Sequence, residues 1–134
     1  MRRQIIKLFM VFFFASFLAG CASGPTPQEI ANADYGTAVD KDVADAQMKA
    51  YFEGHLKDPY SAQYDFGSPE KGYMISGSFE GRQLYAGYVV TARVNAKNSY
   101  GGYVGMQTYQ FLFQNGKLVR GNLLNPSGLV TRLF

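Results

Sequence analysis

The 134-residue sequence predicts an α+β fold in which one N-terminal helix packs on an antiparallel sheet of four to five strands. Three observations carry that expectation. Apolar residues recur at helical spacing in a single stretch, residues 40–57. From Ser61 onward the pattern changes to alternation, and Asn115-Gly116 places a strong hairpin signal between two apolar runs. A helix with one apolar stripe and a sheet with an apolar face bury each other as two layers.

Residues 21–39 contain Gly24, Pro25, Pro27 and Gly36 and few large apolar side chains, so they read as a flexible tether. A coil of that length spans on the order of 25 Å. In residues 40–57, Asp40 stands at the N-cap, with Asp42 and Asp45 near the positive end of the helix dipole and Lys49 and Lys57 toward the negative end. Ala44, Met48, Tyr51, Phe52, His55 and Leu56 form the apolar stripe. Pro59 stops the helix, because its ring pushes Asp58 out of the helical region.

Short strands follow at 62–66 and 72–76, bounded by Gly67, Pro69 and Gly77, and a glycine-rich turn covers 77–83. The longest strand spans 84–96, with Leu84, Ala86, Tyr88, Val90, Ala92, Val94 and Ala96 on one face. Residues 98–102 turn the chain and 103–114 return it. A two-residue hairpin at Asn115-Gly116 leads into 117–124, setting Phe113 opposite Leu118 and Leu112 opposite Val119. Large apolar residues on both sides of this pair predict cover on both faces. Asn125-Pro126-Ser127-Gly128 ends the sheet, and 129–134 is a short apolar tail. One domain thus occupies 40–134. A membrane β-barrel is the competing architecture, but eight strands of about ten residues do not fit beside a tether and a helix.

The first 21 residues have a different character. Arg2 and Arg3 make a short basic region, residues 8–18 (LFMVFFFASFL) are apolar, and Ala19 and Gly20 lead directly into Cys21. This is the layout of a secretory signal. The largely apolar run from Leu8 to Ala22 is 15 residues long, short of the roughly 20 that a membrane-crossing helix requires.

Leu18-Ala19-Gly20-Cys21 resembles the lipobox of bacterial lipoproteins at all four positions. The resemblance implies that residues 1–20 are a signal peptide cut between Gly20 and Cys21. It also implies a diacylglyceryl group on the Cys21 thiol and a further acyl chain, such as palmitate, on the new amino group. Two or three chains anchor a protein stably where one gives only marginal binding. Ala22 lacks the acidic side chain that retains enteric lipoproteins at the inner membrane. The address it implies is the outer membrane with the domain in the periplasm, the outer leaflet of the inner membrane being the alternative under other sorting rules. Arg2-Arg3 also resembles a twin-arginine signal, but the minimal basic region and very apolar core favour the general secretory route.

Arg2, Arg3 and Lys7 account for the whole net charge of +3, so ten basic residues (13 minus 3) face ten acidic ones after the cut. A neutral domain lacks the electrostatic footprint of a nucleic-acid partner. The sole cysteine excludes an intramolecular disulfide and a multi-cysteine metal site, and no other cofactor is implied.

Chemistry-bearing residues are sparse. His55 is the only histidine, so a hydrolase would need it alone with Glu53 or Asp58. Asp40, Asp42 and Asp45 lack the glycine and bidentate glutamate of a calcium loop. No nucleophile motif is present, and no catalytic or metal-ligating residue is assigned. The unusual stretch is residues 95–105 (NAKNSYGGYVG). Its glycines free the backbone, and Tyr100 and Tyr103 stand beside Asn95, Lys97 and Asn98 as a candidate surface for a sugar ring or a peptide.

Together with Leu56-Lys57-Asp58-Pro59-Tyr60-Ser61-Ala62, Phe66-Gly67 and Lys71-Gly72-Tyr73, this stretch resembles a pattern of small uncharacterised bacterial lipoproteins and related phage proteins. That resemblance implies one compact domain and supplies no known activity. The expected function is a non-enzymatic interaction module of the outer membrane, with an envelope protein or peptidoglycan as partner. The alternatives are a lipid-anchored inhibitor of a secreted enzyme such as lysozyme and, after it, the His55 hydrolase.

Replacing Cys21 by Ser is expected to leave the protein unlipidated and uncut by the lipoprotein signal peptidase. Metabolic labelling with a radioactive fatty acid checks this, and normal labelling of the variant would overturn the lipobox reading.

Overall fold

The computed structural model describes residues 24–134, and the lipobox, with the signal segment before it, lies outside the described residues. The domain is α+β as expected. A helix α1 (Pro27–Ala31) and a longer helix α2 (Lys41–His55) precede the strands β1 (Asp58–Phe66), β2 (Glu70–Ile75), β3 (Leu84–Lys97), β4 (Gln107–Gln114), β5 (Lys117–Leu124) and β6 (Val130–Arg132). All pair antiparallel in the order β1-β3-β4-β5-β6, while β2 pairs with the other half of β3. Among the described residues, no helix is long and apolar enough to cross a membrane.

The central strand organises the sheet. β1 pairs along the second half of β3, from Phe66↔Ala92 to Asp58↔Lys97, and β2 along the first half, from Ile75↔Leu84 to Glu70↔Val89. β1 and β2 are thus one interrupted edge, broken at residues 67–69. Ala44, Met48 and Phe52 of α2 are buried against Val90, Ala92 and Val94 of β3 and Tyr109, Phe111 and Phe113 of β4. Gln47 ties the helix to the hairpin, donating from Nε2 to the Gly116 carbonyl (2.7 Å) and accepting at Oε1 from the Leu118 amide (2.9 Å).

Several expectations are corrected. The helix ends at His55 rather than at Lys57, since Leu56 already has extended backbone (ψ 150°) and the chain passes directly into β1. Pro59 lies inside that edge strand, where a missing N–H costs no ladder bond. The return strand begins at Gln107 instead of residue 103, with only an isolated bridge between Lys97 and Tyr103. Asn115 (φ 51°) and Gly116 (φ 75°) make the expected hairpin turn, and Phe113 does face Leu118. A register shift follows, so Leu112 faces Arg120 rather than Val119. The bulge leaves Val119 half-exposed and turns Arg120 onto the face away from α2.

That face is covered too. Leu112, Met74, Arg120 and Asn122 are buried there. The Asn122 Nδ2 lies 3.5 Å from the Met74 sulfur, although two strands separate β2 from β5 in the sheet. A strongly coiled sheet accounts for this contact. Arg120 lies over the Tyr85 ring (4.1 Å to its centroid) and donates from Nη2 to Glu80 (2.9 Å).

The apolar tail supplies a sixth strand. A turn closed by Asn125 N–H donating to the Leu129 carbonyl (2.9 Å) returns residues 130–132 alongside β5. The expected tether is structured from Gly24 onward. Thr26 and Glu29 cap α1 reciprocally, Thr26 N–H donating to Glu29 (2.7 Å) and Glu29 N–H to the Thr26 hydroxyl (3.2 Å). The Thr37 amide donates to Asn115 Oδ1 (3.0 Å), Gln114 Nε2 donates to the Asp34 carbonyl (3.0 Å), and the Lys71 ammonium sits 4.3 Å from the Tyr35 ring centre.

Phe52→Ala removes the largest side chain that α2 buries and should cost about 3–5 kcal/mol. Chemical denaturation of the purified protein measures the loss as a lower midpoint at unchanged slope.

Candidate tyrosine surface at the end of the central strand

Where β3 runs out, the chain makes a turn that binds to itself. The Asn98 N–H donates to the Gly102 carbonyl (2.8 Å), and the Gly101 N–H to the Asn98 carbonyl (3.0 Å). The Asn98 side-chain oxygen accepts from both Tyr100 N–H (2.9 Å) and Gly102 N–H (3.1 Å). Such local acceptance is what asparagine contributes to turns. The Asn95 side-chain oxygen accepts from the Gly105 N–H (3.0 Å), and Gly101 (φ 81°) and Gly105 (φ 91°) hold the left-handed backbone the path requires.

The turn is also moored to β1. Between Asp58 and Gln63 the register shifts, and the Ser61 hydroxyl substitutes for the missing ladder by accepting from the Lys97 N–H (2.8 Å) while donating to the Asp58 carbonyl (2.8 Å). The Tyr103 hydroxyl donates to the Ser61 carbonyl (3.2 Å), and the Lys97 ammonium lies 5.5 Å from the Tyr103 ring centre. The five residues expected from the sequence are therefore brought together in one turn with divided duties. Asn95 and Asn98 brace the backbone with their acceptors, Lys97 and Tyr103 lean on one another beside β1, and Tyr100 projects with 96% of its surface exposed.

Tyr60 belongs to the same end of the sheet and was not among the expected residues. It is fully exposed in the irregular part of β1, one residue before the Ser61 that holds Tyr103. A hollow of about 240 Å³ lies between Tyr60, Pro59 and Glu53. The sequence signal for Tyr60 was an aromatic directly after a proline, in a segment read as a helix stop and as part of the lipoprotein-like pattern but not as a surface. Val104 and Met106 add half-exposed apolar surface nearby.

The residues of the hydrolase reading have other partners. His55 stacks on Tyr51 (4.1 Å between ring centres), with Nδ1 2.7 Å from the Tyr51 carbonyl. Asp58 accepts from the Ser61 N–H at 3.3 Å, and no hydrogen bond among the described residues joins His55 to Glu53 or Asp58. Burial lifts the Tyr51 phenol above its ordinary range, and the Tyr64 phenol is raised by burial and by the Glu53 carboxylate. Among the described residues, no group of three or more His, Cys, Asp or Glu side chains is placed to hold a metal ion.

A second, larger depression of about 820 Å³ lies at the opposite end of β3, where Gly24 and Pro25 face Arg82, Leu84, Tyr85 and Leu112. Its walls are mixed in polarity and include Glu29, Asp34 and Arg82.

Comparison with protein-family models, with curated proteins and with solved structures finds no significant match to this chain.

Asn98→Ala deletes the acceptor shared by Tyr100 and Gly102 and should cost the turn about 1 kcal/mol. Amide hydrogen exchange is expected to quicken roughly five-fold at those two positions while the β3 and β4 amides keep their protection.

Proposed function

We propose that this protein is a non-enzymatic interaction module of the bacterial envelope. Acylated Cys21 holds it at the outer membrane, and the domain faces the periplasm and engages an envelope protein or peptidoglycan through Tyr60, Tyr100 and Tyr103. The observation that carries the reading is the pair of fully exposed rings, Tyr60 and Tyr100, on a turn and bulge braced by their own hydrogen bonds. Exposed aromatics held in a fixed frame lose little entropy on binding and offer faces to sugar rings and side chains alike.

Position supports it as well. The chain leads into the domain at Gly24, beside Ile75 and the start of β3, whereas the tyrosine turn follows Lys97 at the other end. Along 14 residues of strand the separation is about 43 Å at about 3.3 Å per residue. A domain anchored at its near end would hold the tyrosines away from the lipid.

The same braced turn favours one further reading, a lipid-anchored inhibitor that presents Tyr100 to the active site of a secreted enzyme such as lysozyme. An inhibition assay with purified domain separates the two.

For the interaction module, Tyr100→Ala and Tyr60→Ala should each weaken retention by isolated cell wall, or by the protein captured from native envelope, by about 2 kcal/mol, roughly thirty-fold. Equal retention of both variants and the parent would rule out the tyrosine surface.

A further inference from the structure

At the anchor-proximal end of β3 the chain carries a second exposed aromatic. Phe79 is fully exposed on the 3-10 turn Ser78–Glu80 between β2 and β3, and Ile75 just before it is almost half-exposed. An isolated apolar ring at a loop tip ordinarily folds back onto nearby apolar surface, and Leu84 and Leu112 line a depression next to this turn. Phe79 is instead held outward.

The frame that holds it is well made. The Ser76 N–H donates to the Gln83 carbonyl (2.9 Å), and the Gln83 N–H to the Ser76 hydroxyl (2.8 Å). Glu80 N–H donates to the Gly77 carbonyl (2.9 Å), Gly81 (φ 75°) turns the backbone, and the Glu80 carboxylate bridges Arg120 and Arg132. Exposed Arg82 follows. The turn and its surroundings thus join an apolar tip to two exposed arginines, Arg82 and Arg132, and one glutamate, with the buried Arg120 serving only to hold Glu80. This composition is suited to an interface of acyl chains and anionic headgroups.

The path of the chain identifies the occupant. Gly24 packs beside Ile75, a Cβ there lying 3.7 Å from the Ile75 Cδ1, and Gly24 shares the depression with Gly81 and Arg82. Cys21 precedes Gly24 by three residues, a reach of about 10 Å at about 3.5 Å per residue. An acyl chain on Cys21 therefore brings the bilayer surface to the edge where Phe79 stands.

We infer that the Phe79 turn is a second membrane contact, its ring inserted at the headgroup level beside the Cys21 lipid, so that the domain rests on the bilayer in one orientation with the tyrosine turn pointing away. The inference rests on the acylation of Cys21 proposed above. The acyl chains supply the attachment, and the ring fixes the attitude of the domain.

The sequence contains no tryptophan, so Phe79→Trp and Tyr100→Trp each place a single indole probe, one at either end of β3, in the full-length acylated protein. Both are reconstituted in phosphatidylethanolamine and phosphatidylglycerol vesicles with brominated acyl chains, and acylation of Cys21 is read in parallel by mass. The expected result is blue-shifted emission at position 79, quenched several-fold more strongly than at position 100. Acylated, vesicle-bound protein with solvent-like, unquenched emission at 79 overturns the inference and leaves the lipoprotein reading standing. Blue-shifted but unquenched emission at 79 means that protein covers the ring, and overturns it too. Lack of acylation at Cys21 overturns both.

Discussion

One aromatic ring joins the two layers. Phe52 projects from α2 and meets Tyr64 and Phe66 of β1 and Tyr109 and Phe111 of β4, with centroid distances of 5.8, 6.4, 4.9 and 5.6 Å. β1 and β4 flank β3, so a single side chain reads the spacing across the middle of the sheet. Tyr51 extends the cluster toward Phe134 (5.2 Å), which brings the last residue of the chain into the same contact set. Interiors pack at crystal-like density, so these rings leave α2 little freedom to slide. The Gln47 hydrogen bonds to the β4–β5 hairpin then fix its rotation.

Ala44, Met48 and Phe52 of the α2 stripe and the alternation in β3 were legible because each set has a strict period and each faces the same core. His55, expected on that stripe, is instead exposed at the last turn, and Leu56 lies past the helix end. Lys117–Leu124 was placed to the residue for a similar reason: Asn115 and Gly116 can both adopt positive φ, and few other pairs do so cheaply. What the sequence hid were features decided by contacts far along the chain. Residues 130–132 look like a tail until β5 offers a ladder. The capped turn at Pro27–Ala31 is too short to announce itself, and residues 34–37 are fixed by Asn115 and Gln114, some 80 positions away. The bulge at Val119 breaks an otherwise regular register in order to bury Arg120 beside Glu80 and Tyr85. In residues 95–105, composition marked a turn but not the division of labour within it. Whether an asparagine faces a ligand or its own backbone depends on geometry that residue type alone does not carry.

The ordered segment from Gly24 changes what an anchor at Cys21 would mean. A loose tether lets a domain tumble above a membrane, whereas a strap bound to β2 and to the β4–β5 hairpin transmits orientation. The structure thereby distinguishes two poles, the Phe79 turn near the strap and the tyrosine turn at the far end of β3, and the proposed binding and membrane contacts fall on opposite poles. Each pole relies on buttressing hydrogen bonds: Asn95, Asn98 and Ser61 at one, Ser76 and Glu80 at the other.

The interrupted edge described for β1 and β2 has a bearing on crowding. Proteins confined to a surface meet their copies far more often than in bulk, and an open sheet edge invites strand-to-strand pairing. Here one edge is split at residues 67–69, carries Pro59 and Pro69, and is bulged between Asp58 and Gln63. The other is a three-residue strand, β6. Neither offers a long row of free N–H and C=O groups in register. A molecule built this way can be packed densely in a plane without zipping into fibres, which leaves its exposed tyrosines free for a different kind of neighbour.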